Sequence, residues 1–243
     1  MARYVLRRIG SALVILWVII SITFVLMHAI PGGPFTSEKK LPPQVKASIE
    51  AKYHLDDPLW KQYADYIGGV VTGDLGPSYK YEGRSVNDII GESFPVSAQL
   101  GLLALCVAVV GGIAAGAISA MRPNGIIDYA ITFISTLGIS VPTFIIGAVL
   151  VYVVGFELGW LPVAMWRGPP LAASLLTGSF IVETIFAIPG LGQYFVTSIY
   201  NRDYTVILGV TVFYSTLIVV LNIIVDMIYP IIDPRVTTEK ERA

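Results

Sequence analysis

Apolar residues in this chain fall in long unbroken runs, not in the short alternations of strands. A bilayer core about 30 Å thick is crossed by about 20 mostly apolar helical residues. The first such run is Ile9 to Ile30, preceded by Arg3, Arg7 and Arg8 and closed by Pro31-Gly32-Gly33-Pro34. It exceeds the roughly 7–15 residues of a signal-peptide core and no small-x-small cleavage pattern follows it. It therefore reads as an uncleaved span with a cytoplasmic N-terminus, placed by its basic flank. A second run covers Phe94 to Ala120 and a third Ile126 to Val154. In the third, Gly138, Ser140 and Pro142 predict a kink or helix break. The last run, Thr205 to Ile232, carries Asn222 and Asp226 one turn apart.

Between these runs, 169–188 is apolar enough for a membrane but is interrupted by Ser174, Thr177, Gly178, Ser179 and Glu183. By length it crosses once, or dips in and returns. Five crossings leave the two ends on opposite sides, and four leave both inside. Arg235, Lys240 and Arg242 in the tail favour the second arrangement, since acids count little in the positive-inside rule.

The stretch 31–93 is of a different kind, rich in both lysine and acid. Trp60, Ala64, Ile67 and Val71 recur at helical spacing, with Lys61, Gln62 and Asp65 opposite, which predicts a short amphipathic helix ended by Gly73, Gly76 and Pro77. The apolar stripe is expected to be the inner face of a small extracytoplasmic cap, with a docking surface as the alternative. The chain thus divides into an N-terminal tail and first span (1–30), the cap (31–93), the second and third spans (94–168), an ambiguous segment with its following loop (169–204), and the last span with its tail (205–243). The fold class expected is an all-α integral membrane protein, a polytopic bundle of about 4–5 spans. Trp160 and Trp166 would anchor the third span's outer exit at the interface.

Composition agrees. Of 243 residues, 55% are hydrophobic and only 14% charged, against roughly 25% charged in soluble domains. Mean hydropathy is +0.72. Disorder is excluded. A net charge of −1 gives no sign of a nucleic-acid binder, which should show a basic stripe. The one cysteine, Cys106, permits neither an intrachain disulfide nor a thiolate cluster.

Catalytic and nucleotide motifs are absent from the sequence. The stretch Gly73 to Lys80 lacks the Gly-Lys-Ser/Thr ending that cradles phosphates, so ATP would have to be bound by other chains. His28 and His54 are far apart and form no zinc pattern. His28 is expected to hydrogen-bond at the end of its span and His54 to be solvated. No cofactor or metal is implied. Ionisable residues at membrane depth are functional candidates, and broken helices there commonly line solute paths. Glu183, with Thr177, Ser179, Pro189 and Gly190 around it, is therefore a candidate for the translocation path, as are Asn222 and Asp226. The structural alternatives are a packing turn for Glu183, a helix–helix hydrogen bond for Asn222, and for Asp226 a pair with Arg235 or with a basic end of another helix. Gly111, Gly112 and Gly116 read as a surface for close helix packing.

Several stretches in a common order resemble one family. They are Arg7-Arg8-Ile9-Gly10 with the first span, His28 to Pro34, Tyr53 to Leu59, Gly73 to Tyr79, Ser93 to Leu100, Gly138 to Phe144, Leu158 to Pro162, Thr177 to Gly192, Arg202-Asp203-Tyr204 and Asp233-Pro234-Arg235. The chain is similar to inner-membrane permease subunits of binding-protein-dependent ABC importers of the dipeptide/oligopeptide/nickel class. The resemblance implies a type I importer bundle in a bacterial or archaeal cytoplasmic membrane, which moves peptides or a related small solute by ATP-driven alternating access. It implies a second permease subunit, two ATPase subunits and an extracytoplasmic solute-binding protein as partners, and places Thr177 to Gly192 at the outer gate. Family members have six spans, however. Here Trp166-Arg167-Gly168-Pro169 runs almost directly into Pro170-Leu171-Ala172-Ala173. A fourth span and the ATPase-coupling loop are expected to be missing at that junction, which leaves a non-transporting remnant or structural membrane subunit as the alternative function.

Overall fold

A computed structural model describes residues 2–30, 33–35, 43–159, 183–184 and 187–232. Within them the chain is helical: α1 (Ala2–Ala29), α2 (Pro43–Lys52), α3 (Leu59–Thr72), α4 (Val86–Met121), α5 (Ile126–Ser140), α6 (Thr143–Leu150) running into a π-helical stretch Val151–Glu157, α7 (Leu191–Asn201) and α8 (Tyr204–Ile232). The bundle class is as read from the sequence. Among the described residues three helices are long and apolar enough to cross a membrane, over Leu6–Ala29, Val86–Met121 and Tyr204–Ile228. The fourth candidate is the pair Ile126–Ser140 and Ile145–Glu157, bent by 113°. That break is the one Pro142 predicts. Val141 is extended (φ −86°, ψ 129°), as the residue before a proline prefers. Most of 169–188, with Trp160, Trp166 and the Pro169–Pro170 junction, lies outside the described residues.

The helices fall into two compact units, Met1–Asn87 with Asn201–Ala243, and Asp88–Tyr200; each is described by itself. In the first, α1 packs along α8. Ala12, Ile20 and Phe24, spaced by eight and four residues on one face of α1, are buried, as are Val206, Ile207 and Val210 of α8. The two helices are antiparallel. Arg8 of α1 ion-pairs with Asp226 of α8, while at the other end the His28 and Tyr204 rings lie 6.2 Å apart. Arg8 to His28 is about 30 Å of helix and Tyr204 to Asp226 about 33 Å at about 1.5 Å per residue. These lengths match the hydrocarbon thickness, so the two contacts mark its two boundaries. The apolar remainder of α1, Leu13, Val14 and Leu26 among it, is exposed, as suits a helix whose solvent is lipid.

The cap is built on the His28 end. The Ser21 hydroxyl and Tyr63 phenol share a hydrogen bond of 2.6 Å. Phe24 packs against Tyr63 and Tyr66. His28 Nε2 lies 3.2 Å from Gln62 Oε1, and the Gln62 amide donates to the Leu55 and Asp57 carbonyls. The face of α3 turned to α1 is therefore Gln62, Tyr63 and Tyr66, not the stripe expected from the sequence. Trp60 and Val71 are 72% and 80% exposed. The cause is α1 itself, whose surface here offers Ser21 and His28 and so selects the hydrogen-bonding side of α3. Lys61 is held protonated by its hydrogen bond to Asp57, with further acids nearby.

α3 closes on Gly73, left-handed at φ 80°, a conformation glycine adopts without a Cβ penalty. A tight loop follows, fixed by Asn87: its amide donates to Gly73 O (2.6 Å) and its oxygen accepts from Leu75 N–H (2.9 Å). A bridge between Pro77 and Ser85 then folds 77–85 into a hairpin. Gly209 on α8 lets this region approach, because a Cβ there would run into Val86 and touch Leu75 at 3.4 Å.

Helix α4 starts at Val86, in the last residues of the first unit and not near Phe94, and continues through the second unit with Pro95 inside it. A proline there forfeits a helical hydrogen bond, about 3 kcal/mol with its steric clash. Burial of Val86 and Ile89, both fully enclosed, returns about 1.5–3 kcal/mol each. The turn into α5 is capped by Asp128, which accepts from Asn124 N–H at 2.8 Å and from the Ser119 hydroxyl. The glycines at 111, 112 and 116 would each meet open space with a Cβ added. No helix of the described residues closes on them, so the packing expected there has no partner within this structure.

Candidate functional site

The residues singled out by sequence belong to different units. Glu183 and Gly190 come together in one unit. Asn222 and Asp226 occupy successive turns of α8 in the other. Thr177 and Ser179 lie outside the described residues, and Pro189 is exposed.

Glu183 is 5% exposed. The chain from it makes a tight turn, with Ile188 N–H donating to Glu183 O (2.8 Å) and Gly190 N–H to Ile188 O (2.7 Å). Pro189 then leads into α7. The Glu183 carboxylate accepts from the N–H groups of Gly192 (2.7 Å) and Gln193 (3.3 Å). These are among the four orphan donors at the start of α7, where a negative charge also meets the positive end of the helix dipole. Ser97 of α4 completes the cluster, since its hydroxyl donates to Glu183 and accepts from Leu191 N–H at 2.9 Å. Gly190 is required by this closeness. A Cβ there would fall on the Glu183 carboxylate and 2.7 Å from Ser97 Oγ. The arrangement is a clamp: a buried carboxylate and a serine fix where α7 begins and how it leaves α4. Such a Glu183 positions a helix and is engaged on that helix's amides.

Asn222 is exposed, and among the described residues its amide makes no hydrogen bond. Asp226 pairs with Arg8, a basic end of another helix.

The most heavily engaged polar side chain was not among the sequence candidates. Asp203 is fully buried. It stands immediately before α8 and accepts from Thr205 Oγ1 (2.9 Å) and Val206 N–H (3.4 Å), an N-cap. It also accepts from the hairpin: Ser78 Oγ at 2.5 Å, Tyr79 N–H and Lys80 N–H both at 3.2 Å. One carboxylate thus ties the cap to the head of the last span. Ser78 Oγ in turn accepts from Lys80 and Tyr81 N–H (3.1 and 2.9 Å). Tyr79, half-buried beside them, stacks edge-on to Tyr53 at 4.9 Å and meets Phe35 at 5.9 Å. Burial pushes its phenol well above the usual tyrosine range, and the Asp203 and Tyr53 charges act in the same direction. An available signal was Asp directly ahead of a long apolar run. Ser97 and Ser78 carried no such signal, being ordinary serines until the fold brings partners to them. No group of His, Cys, Asp and Glu among the described residues is arranged to hold a metal.

Comparison with known proteins gives the family. Residues 1–101 match the N-terminal model of binding-protein-dependent transport system membrane components. Residues 112–168 and 161–238 match the binding-protein-dependent transport system inner membrane component. The dipeptide transport system permease protein DppB of Bacillus subtilis is 36% identical over 307 positions, covering 99% of this chain and 100% of that protein. The oligopeptide permeases OppB of Haemophilus influenzae and Escherichia coli K12 are each 34% identical over 304 positions, covering 97% of this chain and 99% of theirs. An alignment of 307 positions against a chain of 243 residues leaves about sixty positions or more of the relative without a counterpart. The second family match arrives in two pieces that share 161–168, beside the Pro169–Pro170 junction. With a polytopic helical structure and matches that run from residue 1 to residue 238, the chain belongs to the family of binding-protein-dependent transport system inner membrane components.

Proposed function

We propose that this chain is a peptide-importing permease subunit of an ABC system in the cytoplasmic membrane, and that it forms one half of a pore whose motor lies on other polypeptides. The observation that carries this reading is collinear similarity over nearly the whole chain to dipeptide and oligopeptide permeases. A second permease subunit completes the pore, two ATPase subunits bind on the cytoplasmic side, and a solute-binding protein delivers peptide from outside. The N-terminus is cytoplasmic, so the Arg8–Asp226 contact lies at the inner boundary and the cap outside. In alternating access the cap, α1 and α8 move as one body, because Asp203 and the Ser21–Tyr63 and His28–Gln62 contacts hold them together. The Glu183 clamp keeps α7 in fixed orientation at the outer mouth. ATP hydrolysis belongs to the partner chains.

A second reading rests on a specific observation, the sixty or so positions of the relatives without a counterpart here. Read as the fourth span and the ATPase-coupling loop that the family resemblance implies, their loss leaves a membrane subunit that does not transport. One experiment separates the two. The chain is co-expressed with its second permease, ATPases and binding protein, purified in mild detergent and placed in nanodiscs. Retention of the ATPases, with ATP hydrolysis stimulated by peptide-loaded binding protein, supports the importer. Retention of the second permease without ATPases supports the remnant.

A further inference from the structure

An apolar groove of about 550 Å³ runs between α1 and the start of α3. Trp17, Val25 and Ala29 of α1 form one wall; Leu59, Trp60 and Tyr63 of α3 form the other. Trp17, Val25, Leu59 and Trp60 are more than half exposed. We propose that this groove holds one acyl chain of a glycerophospholipid from the leaflet on the cap side.

Three observations converge on that occupant. First, the groove is continuous with the exposed apolar face of α1, a membrane-spanning helix, so its mouth opens into hydrocarbon. Second, its length fits. Along α1 it extends from Ala29 to Trp17, about 18 Å at about 1.5 Å per residue, close to half of a core about 30 Å thick. Third, Trp60, of a residue type enriched at the headgroup interface, lines the groove two residues before Gln62, which meets His28 near the end of α1. Ser21, His28 and Tyr63 also line the groove, but their polar atoms are engaged across the α1–α3 joint, Ser21 with Tyr63 and His28 with Gln62. The groove therefore offers an acyl chain apolar walls and no competing polar site. It follows that the exposed stripe of α3 lies on the membrane surface and that lipid packs the joint between cap and span.

The test uses the full chain with its co-purifying partners. Native mass spectrometry from a mild detergent should show one phospholipid per chain that survives washing, and Val25→Phe, which fills the groove, should lose it. Ala29→Leu serves as a second, milder filler; Ile118→Phe, at an exposed site on α4, should keep the lipid. In nanodiscs of phosphatidylcholine brominated near the chain ends, the part of the emission removed by Trp17→Phe should be quenched, and the quenching should fall at least twofold in Val25→Phe. An unchanged lipid count in both fillers, or Trp17 quenching indifferent to them, overturns the proposal. So does a photo-crosslinker at position 60 that yields a protein adduct and no lipid adduct.

Discussion

Replacement of Asp203 by alanine tests whether one carboxylate holds the cap to the last span. The substitution removes the α8 N-cap, worth about 1 kcal/mol. It also leaves the Ser78 hydroxyl and the Tyr79 amide without their Asp203 acceptor in a buried setting, at about 1–3 kcal/mol each. Lys80 N–H keeps Ser78 Oγ at 3.1 Å and adds little. The total is about 3–7 kcal/mol, and water entering the gap brings it toward the lower end. At about 1.4 kcal/mol per factor of ten, a loss of about 3 kcal/mol raises the population of detached hairpin by about a hundredfold. Trypsin reads this directly, because Lys80 and Arg84 lie in the hairpin, and when opening is fast relative to cleavage the rate follows the open population. Cleavage after either residue in nanodiscs should accelerate by about two orders of magnitude in Asp203→Ala. Asp203→Asn, which keeps one acceptor oxygen, should fall between. Wild-type cleavage rates in Asp203→Ala, with helicity intact, would show that the hairpin is held by packing alone and refute the reasoning.

Other substitutions give sharper contrasts than single losses. Gly190→Ala forces the Glu183–Ser97 clamp apart and should cost about 1–3 kcal/mol, as overpacking does, seen as a lower midpoint in detergent thermal unfolding. Glu183→Gln keeps an acceptor for α7 but loses the charge; in a complete assembly it should reduce uptake more than protein level, and unchanged uptake at equal level would leave the clamp a static brace. Tyr66 and Tyr63 should differ: Tyr63→Phe loses the Ser21 bond, about 1 kcal/mol, whereas the buried Tyr66 hydroxyl has no partner among the described residues, so Tyr66→Phe should be neutral or stabilising by the same thermal assay. Burial raises the Tyr66 and Tyr79 phenols, which favours the neutral forms; their share of stability is present at neutral pH and is lost as pH rises beyond about 10. Tyrosinate absorbance should therefore show both ionising after the exposed tyrosines, and Tyr79→Phe should remove one late step.

The spans were legible in the sequence because burial in lipid demands length and apolarity, both countable. The break at Pro142 was legible because proline acts locally. What could not be read was which side of an element faces its neighbour. The stripe of Trp60, Ala64, Ile67 and Val71 looked like an inner face, yet α1 presents Ser21 and His28 and captures Gln62 and Tyr63. Apolar periodicity assumes water on one side and core on the other, and that assumption fails at a membrane surface. Asp226 was legible as needing a cation, but Arg8 lies 218 positions away in sequence, and only the antiparallel register of α1 and α8 brings it there. Glu183 drew attention as an ionisable residue in a broken segment. Its engagement with α7 depends on Ser97 and Gly190, which no local rule connects to it.

The pairing of the first helix with the last has a consequence for biogenesis. Residues 1–87 cannot finish folding until 201–243 have been synthesised, so α1 must wait in the bilayer while everything between is made. The entropy of closing that long loop grows only with the logarithm of its length. Excision of about sixty residues from the intervening chain alters the closure cost by only about 0.3 kcal/mol by the same relation. A lesion in the middle of the gene therefore leaves the α1–α8 pair almost as easy to assemble as before. Cellular quality control that inspects only this pair would pass the shortened chain.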